Sequence, residues 1–85
     1  MKLNCVVVDD SSIQRMIIAK LVNNHQNLHL IGDFSNAIEA KSCMSVHNVD
    51  LIFLDIEMPV ISGFDFIDGL KVIPQIIFIT SKAEY

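Results

Sequence analysis

Three apolar runs constrain this chain more than anything else in it: Asn4–Val8, Leu51–Leu54 and Gln75–Thr80. They are short, rich in β-branched residues and show little polar alternation, the pattern of parallel strands covered on both faces. Each ends on polar groups. Asp9-Asp10 follow the first run, Asp55 the second, and Thr80-Ser81 close the third. Met58-Pro59 then takes the chain out of the second run, because proline has no N–H to give a ladder.

The intervening stretches read as helices. Ser11-Ser12-Ile13-Gln14 has the form of a capping box, with Ser11 as N-cap and Gln14 three residues on. A helix is predicted from there to about Asn24, laying Ile13, Met16, Ile17, Leu21 and Val22 on the sheet and turning Gln14, Arg15 and Asn23 to water. Leu28–Phe34 is mixed in polarity and suits an edge strand. Asn36 caps a second helix running to about Val46, with Ala37, Ala40 and Met44 inward. After an exposed loop through Ile61, Ser62 caps a short third helix, Gly63–Leu70, that turns Phe66, Ile67 and Leu70 inward.

Strands alternating with helices over short connections imply right-handed crossovers and one parallel sheet with helices on both faces. Ligands of such α/β folds bind beyond the carboxyl ends of the strands, where the strand order reverses. That gathers Asp9, Asp10, Asp55 and Thr80 around one crevice.

Composition narrows the function classes. With 85 residues the chain forms one domain, residues 1–85, and 52% hydrophobic against 19% charged residues marks it as globular. A net charge of −4 repels phosphate backbones and anionic membrane, so contact with DNA would need another domain. The apolar runs fall far short of the ~20 residues that cross a bilayer, and Met1–Asn4 opens into a strand rather than a signal peptide; the expected location is the cytoplasm. Cys5 and Cys43 lack metal-ligand spacing and read as small apolar side chains. His25 and His29 straddle a helix end and a strand start, which denies them the shared helical face of a zinc pair.

Three carboxylates at one sheet edge repel one another and ask for a divalent cation. Beside magnesium a carboxylate can attack a phosphoryl group, because the metal offsets the repulsion between two anions. Asp55, expected exposed at its strand tip, is the candidate nucleophile. Asp10 would ligate Mg2+ directly and Asp9 directly or through water, Asp55 is itself a ligand, and the backbone carbonyl of Glu57 could complete the cage. The hydroxyl of Thr80 or of Ser81 could bond a phosphoryl oxygen.

The motifs Val7-Val8-Asp9-Asp10-Ser11, Leu54-Asp55-Ile56-Glu57-Met58-Pro59 with Gly63, and Ile79-Thr80-Ser81 resemble, in order and spacing, the receiver domain of bacterial two-component response regulators. The resemblance runs from Leu3 to Tyr85 and implies a flavodoxin-like sheet. It makes Asp55 the phosphoacceptor for a sensor histidine kinase, Asp9 and Asp10 the magnesium pair and Thr80 the switch hydroxyl, in a signalling module rather than an enzyme. The run Thr80–Tyr85 is similar to receivers joined to LytTR-type DNA-binding domains.

A complete receiver continues with a helix, a fifth strand carrying a phosphate-pairing lysine, and a last helix. By that comparison the chain reads as truncated after its fourth strand, with phosphorylation impaired; Lys82 follows that strand directly, a poor substitute for the lysine. The fourth strand would be left as an apolar edge, so a homodimer is expected through that edge or by element exchange. The apolar excess on the first helix, at Ile18 and Val22, fits packing better than a kinase-docking surface. Two other functions stay open: an interaction module that is not phosphorylated, and a magnesium-dependent phosphatase-like enzyme with an aspartyl nucleophile, for which Glu57 stands two residues on where an aspartate is usual.

Overall fold

The computed structural model describes residues 2–58, 62–70 and 72–79. Its elements run β1 (Leu3–Val8), α1 (Ser12–Asn23), β2 (Leu28–Phe34), α2 (Ala37–Val46), β3 (Leu51–Asp55), α3 (Gly63–Asp68) and β4 (Gln75–Ile79). The four strands form one sheet in the order β2-β1-β3-β4, and every pairing is parallel. This is the flavodoxin-like arrangement expected from the sequence, with β1 and β3 central and β2 at an edge. The chain moves from β1 outward to β2 and then returns to the other side of β1 with β3. The switch point therefore lies between the carboxyl ends of β1 and β3.

Two apolar layers sandwich the sheet. On one face Val6, Val8, Ile52 and Leu54 pack with Ala37 and Ala40 of α2 and Phe66 of α3. On the other, Cys5, Val7 and Leu51 pack with Val22 of α1, joined by Ile18, Leu28, Leu30 and Phe53. Val6, Val7 and Val8 are all fully buried, because a central parallel strand has no solvent face. Cys5 and Cys43 are free thiols, as expected, and burial pushes both thiols above the ordinary range.

The predicted N-caps all form: Ser11 Oγ accepts from the Gln14 amide at 3.3 Å, Asn36 Oδ1 from Glu39 at 2.9 Å and Ser62 Oγ from Asp65 at 3.2 Å. The Gln14 side chain does not return a bond, and its buried Nε2 has no partner among the described residues. Only half of that capping box exists.

Helix α1 corrects the sequence reading of which residues face the sheet. Ile13, Met16, Ile17 and Leu21 are 68%, 65%, 53% and 62% exposed, whereas Val22 is buried and Gln14 and Arg15 are half-buried. Two rows spaced by four residues run along this helix, Ile13-Ile17-Leu21 and Gln14-Ile18-Val22, about 100° apart on its surface. Apolar periodicity favours the first row, and the fold seats the second.

Strand β2 carries one irregularity. Its register with β1 shifts between Cys5 and Val6, so that Leu30 pairs with Cys5 but Gly32 with Val6. This β-bulge leaves Ile31 in the layer shared with α2, and it sets Asp33 beside Val7, on the face covered by α1.

Candidate functional site

Three acids converge at the switch point. Asp9 leaves β1, and its amide still bonds the Phe34 carbonyl at 3.0 Å, one step beyond the strand. Its side chain is turned back: Oδ1 accepts from the Ser11 amide at 2.9 Å, which couples the carboxylate to the start of α1. Its other oxygen, Oδ2, is buried without a partner among the described residues. Asp10 is the exposed member of the trio.

Asp55 is the last residue of β3. The sequence reading expected it exposed, yet it is only 6% exposed and Asp9 only 1%. The difference arises because the start of α3 packs back against the end of β3. The Gly63 amide donates to the Ile56 carbonyl at 2.8 Å, and a Cβ at Gly63 would stand 2.6 Å from the Asp55 carbonyl oxygen. Glycine at the start of α3 is what permits that approach. The Ile56 amide bonds the Ile79 carbonyl on β4 at 3.2 Å, closing the other flank.

One carboxylate oxygen from each of Asp9, Asp10 and Asp55 can be chosen so that all lie within 4.8 Å of one another. Crowding at this range has an electrostatic consequence. The Asp55 carboxyl is pushed up to about 7, first by burial, then by sharing a proton with Asp10 and by the charge of Asp9; the Glu57 amide, 3.2 Å from Oδ1, pulls the other way. The donor set suits a hard divalent cation, which takes oxygen ligands, and the orphaned Asp9 Oδ2 is a buried acceptor that such an ion would satisfy.

Glu57 turns its side chain to solvent, as expected, and its amide supports Asp55. Thr80, Ser81 and Lys82 lie outside the described residues; the described part of β4 ends at Ile79, opposite Asp55. Arg15 is the site residue that the sequence reading missed. Expected in water, it instead donates Nη1 to the Asp9 carbonyl at 2.9 Å and Nε to Asp33 at 3.1 Å. No periodicity marks it, because its partner is delivered by the β2 bulge.

The profile of the response regulator receiver domain matches residues 5–85. This chain belongs to that family. An uncharacterized response regulatory protein of Shewanella oneidensis is 36% identical to the receiver over 98% of it. A protein-glutamate methylesterase/protein-glutamine glutaminase of a Shewanella species is 39% identical over 82%. The receiver spans 36% of the first relative and 20% of the second, so the esterase name describes a protein of which this segment is a small part. Among solved structures, the response regulator domain of Thermotoga maritima CheB superposes with a TM-score of 0.84 at 25% identity, covering 95% of this receiver and 62% of that chain. CheY6 of R. sphaeroides, solved in complex with the P1 domain of CheA3, gives 0.80 at 34% identity, covering 95% and 65%. The receiver is thus a phosphoacceptor module of the two-component type, and its acidic cluster stands at the carboxyl edge where the sequence had put it.

Proposed function

We propose that Asp55 is the phosphoacceptor of this receiver and that Asp9, Asp10 and Asp55 itself hold a magnesium ion at the site. The observation that supports this most directly is the gathering of the three carboxylates within 4.8 Å at the end of β3. In the transfer, an Asp55 carboxylate oxygen forms a bond to phosphorus as the P–N bond of a phosphohistidine donor breaks, and the imidazole leaves. Magnesium supplies charge neutralisation between the two anions. The chain's own part is positional. The Glu57 amide fixes the Asp55 carboxylate, Gly63 packs on the Asp55 backbone carbonyl, and the Ser11 amide fixes Asp9. The Glu57 carbonyl is assigned to the same cage, and Thr80, next after Ile79, is assigned the switch hydroxyl.

The donor is a sensor histidine kinase, a reading supported by the R. sphaeroides complex of a CheA3 P1 domain with CheY6. We read residues 1–85 as one domain, a reading supported by the joining of all four described strands in a single sheet. No described helix is long and apolar enough to cross a membrane, and we assign the receiver to the cytoplasm. A homodimer through β4 is part of the reading. It is supported by the position of β4 at the edge of the described sheet, with Ile77 and Phe78 exposed. A LytTR-type DNA-binding output rests on the run Thr80–Tyr85, and the sequence encoded beyond Tyr85 tests it.

Incubation with a small-molecule phosphodonor or beryllofluoride and Mg2+, followed by mass spectrometry of peptides, tests the site. The expected result is a single adduct on Asp55 that Asp55→Asn abolishes. An adduct elsewhere, or one that survives Asp55→Asn, overturns it.

A further inference from the structure

The peptide between Asp9 and Asp10 is the swivel on which two of the three carboxylates turn. Rotating it about its flanking bonds would move the Asp10 carboxylate relative to Asp9 and Asp55, since each residue has only two soft backbone dihedrals. The Asp9 amide is held by the Phe34 carbonyl and its Oδ1 by Ser11, but neither bond fixes the carbonyl end. That end is held by Arg15, whose Nη1 donates to the Asp9 carbonyl oxygen at 2.9 Å. Arg15 is itself held, because Nε of the same guanidinium donates to Asp33 Oδ1 at 3.1 Å.

Asp33 reaches Arg15 only because β2 is irregular. Side chains alternate faces along a strand, so an unbroken register from Leu30 would carry Asp33 to the face covered by α2. The bulge beside Cys5 and Val6 reverses that phase and sets Asp33 against Val7, under α1. Bulges next to functional sites commonly re-aim one side chain in this way. The guanidinium suits the task, being planar with several donors in a fixed fork, so one group can bond a carbonyl and a carboxylate together.

We propose that Arg15, braced by the bulge-delivered Asp33, is a positioning residue that clamps the Asp9–Asp10 peptide and so sets the geometry of the cation site. The proposal rests on the assignment of Asp9, Asp10 and Asp55 as magnesium ligands. Residues behind a ligand commonly change metal affinity 10- to 100-fold when removed, and Arg15 acts on the backbone between two ligands.

Calorimetric titration of MgCl2 into the 85-residue chain, with Arg15→Ala, Arg15→Lys and Asp33→Asn beside the unaltered protein, tests it. Arg15→Ala is expected to weaken Mg2+ binding about tenfold, and Asp33→Asn to weaken it by less. Arg15→Lys is expected not to restore affinity, because an ammonium keeps the charge but cannot span both partners. Full rescue by lysine, or unchanged affinity in Arg15→Ala, overturns the clamp. In the metal-free protein the Asp10 amide resonance is expected to move in both Arg15→Ala and Asp33→Asn while the α2 and α3 resonances stay; an unmoved Asp10 amide overturns the clamp even where stability falls. An unaltered chain that binds no Mg2+ would instead count against the ligand assignment, and the metal-free shifts would still judge the clamp.

Discussion

Among the described residues Asp55 carries the most consequential perturbation, and its sign can be followed through to stability. Burial and its acidic neighbours raise its carboxyl from 3.8 to about 7 in the metal-free fold. Between those values the folded chain keeps a proton that the unfolded chain has released, so the folded state binds more protons and stability falls as pH rises. The metal-free protein in chelator is therefore expected to show a higher urea midpoint at pH 5 than at pH 8, with much of the difference removed in Asp55→Asn. Saturating Mg2+ should offset the loss at the higher pH. Midpoints that rise over this window by the same amount in both proteins would overturn this account. At this scale the sequence was informative about identity and silent about environment. Asp9, Asp10 and Asp55 were legible because each ends an apolar run. The burial of Asp9 and Asp55 was not, since it depends on contacts distant in sequence, such as Gly63 packing on the Asp55 carbonyl from eight residues further along the chain.

Local chemistry made the helix starts legible, because an N-cap needs only its own side chain and an amide three residues on. Ser11, Asn36 and Ser62 accordingly form the predicted caps. The face of α1 was not legible, because two rows at the same spacing competed and only tertiary packing could choose. That choice gives a discriminating pair of substitutions. Val22→Ala, in the layer with Cys5, Val7 and Leu51, should cost about 2 kcal/mol through lost burial and a residual cavity. Ile17→Ser, on the exposed row, should stay within about 0.5 kcal/mol. Urea denaturation reads both, and the periodicity reading, which turns both residues to the sheet, predicts that both are costly. The exposed row Ile13-Ile17-Leu21 with Met16 leaves an apolar stripe on α1 that the described elements do not cover.

Across the whole molecule, the sheet order puts β1 and β3 in the centre and leaves β4 at an edge among the described strands. Ile77 and Phe78 are 46% and 42% exposed there, on a strand with few means of blunting its own edge. Dimerisation through β4 predicts that light scattering finds a concentration-dependent dimer and that Ile77→Lys shifts it to monomer, since lysine disfavours edge-to-edge pairing. A monomer at all concentrations before substitution would exclude it. The sequence by itself determined the element order, the parallel sheet, the caps and the three acids, because these follow from periodicity, run length and local hydrogen bonding. Only the tertiary structure decided which row of α1 is buried, that Asp55 is enclosed, and that Arg15 reaches Asp9 and Asp33. Each of those depends on contacts between residues distant in sequence, and the last on a single extra residue in the register of β2, which no local pattern encodes.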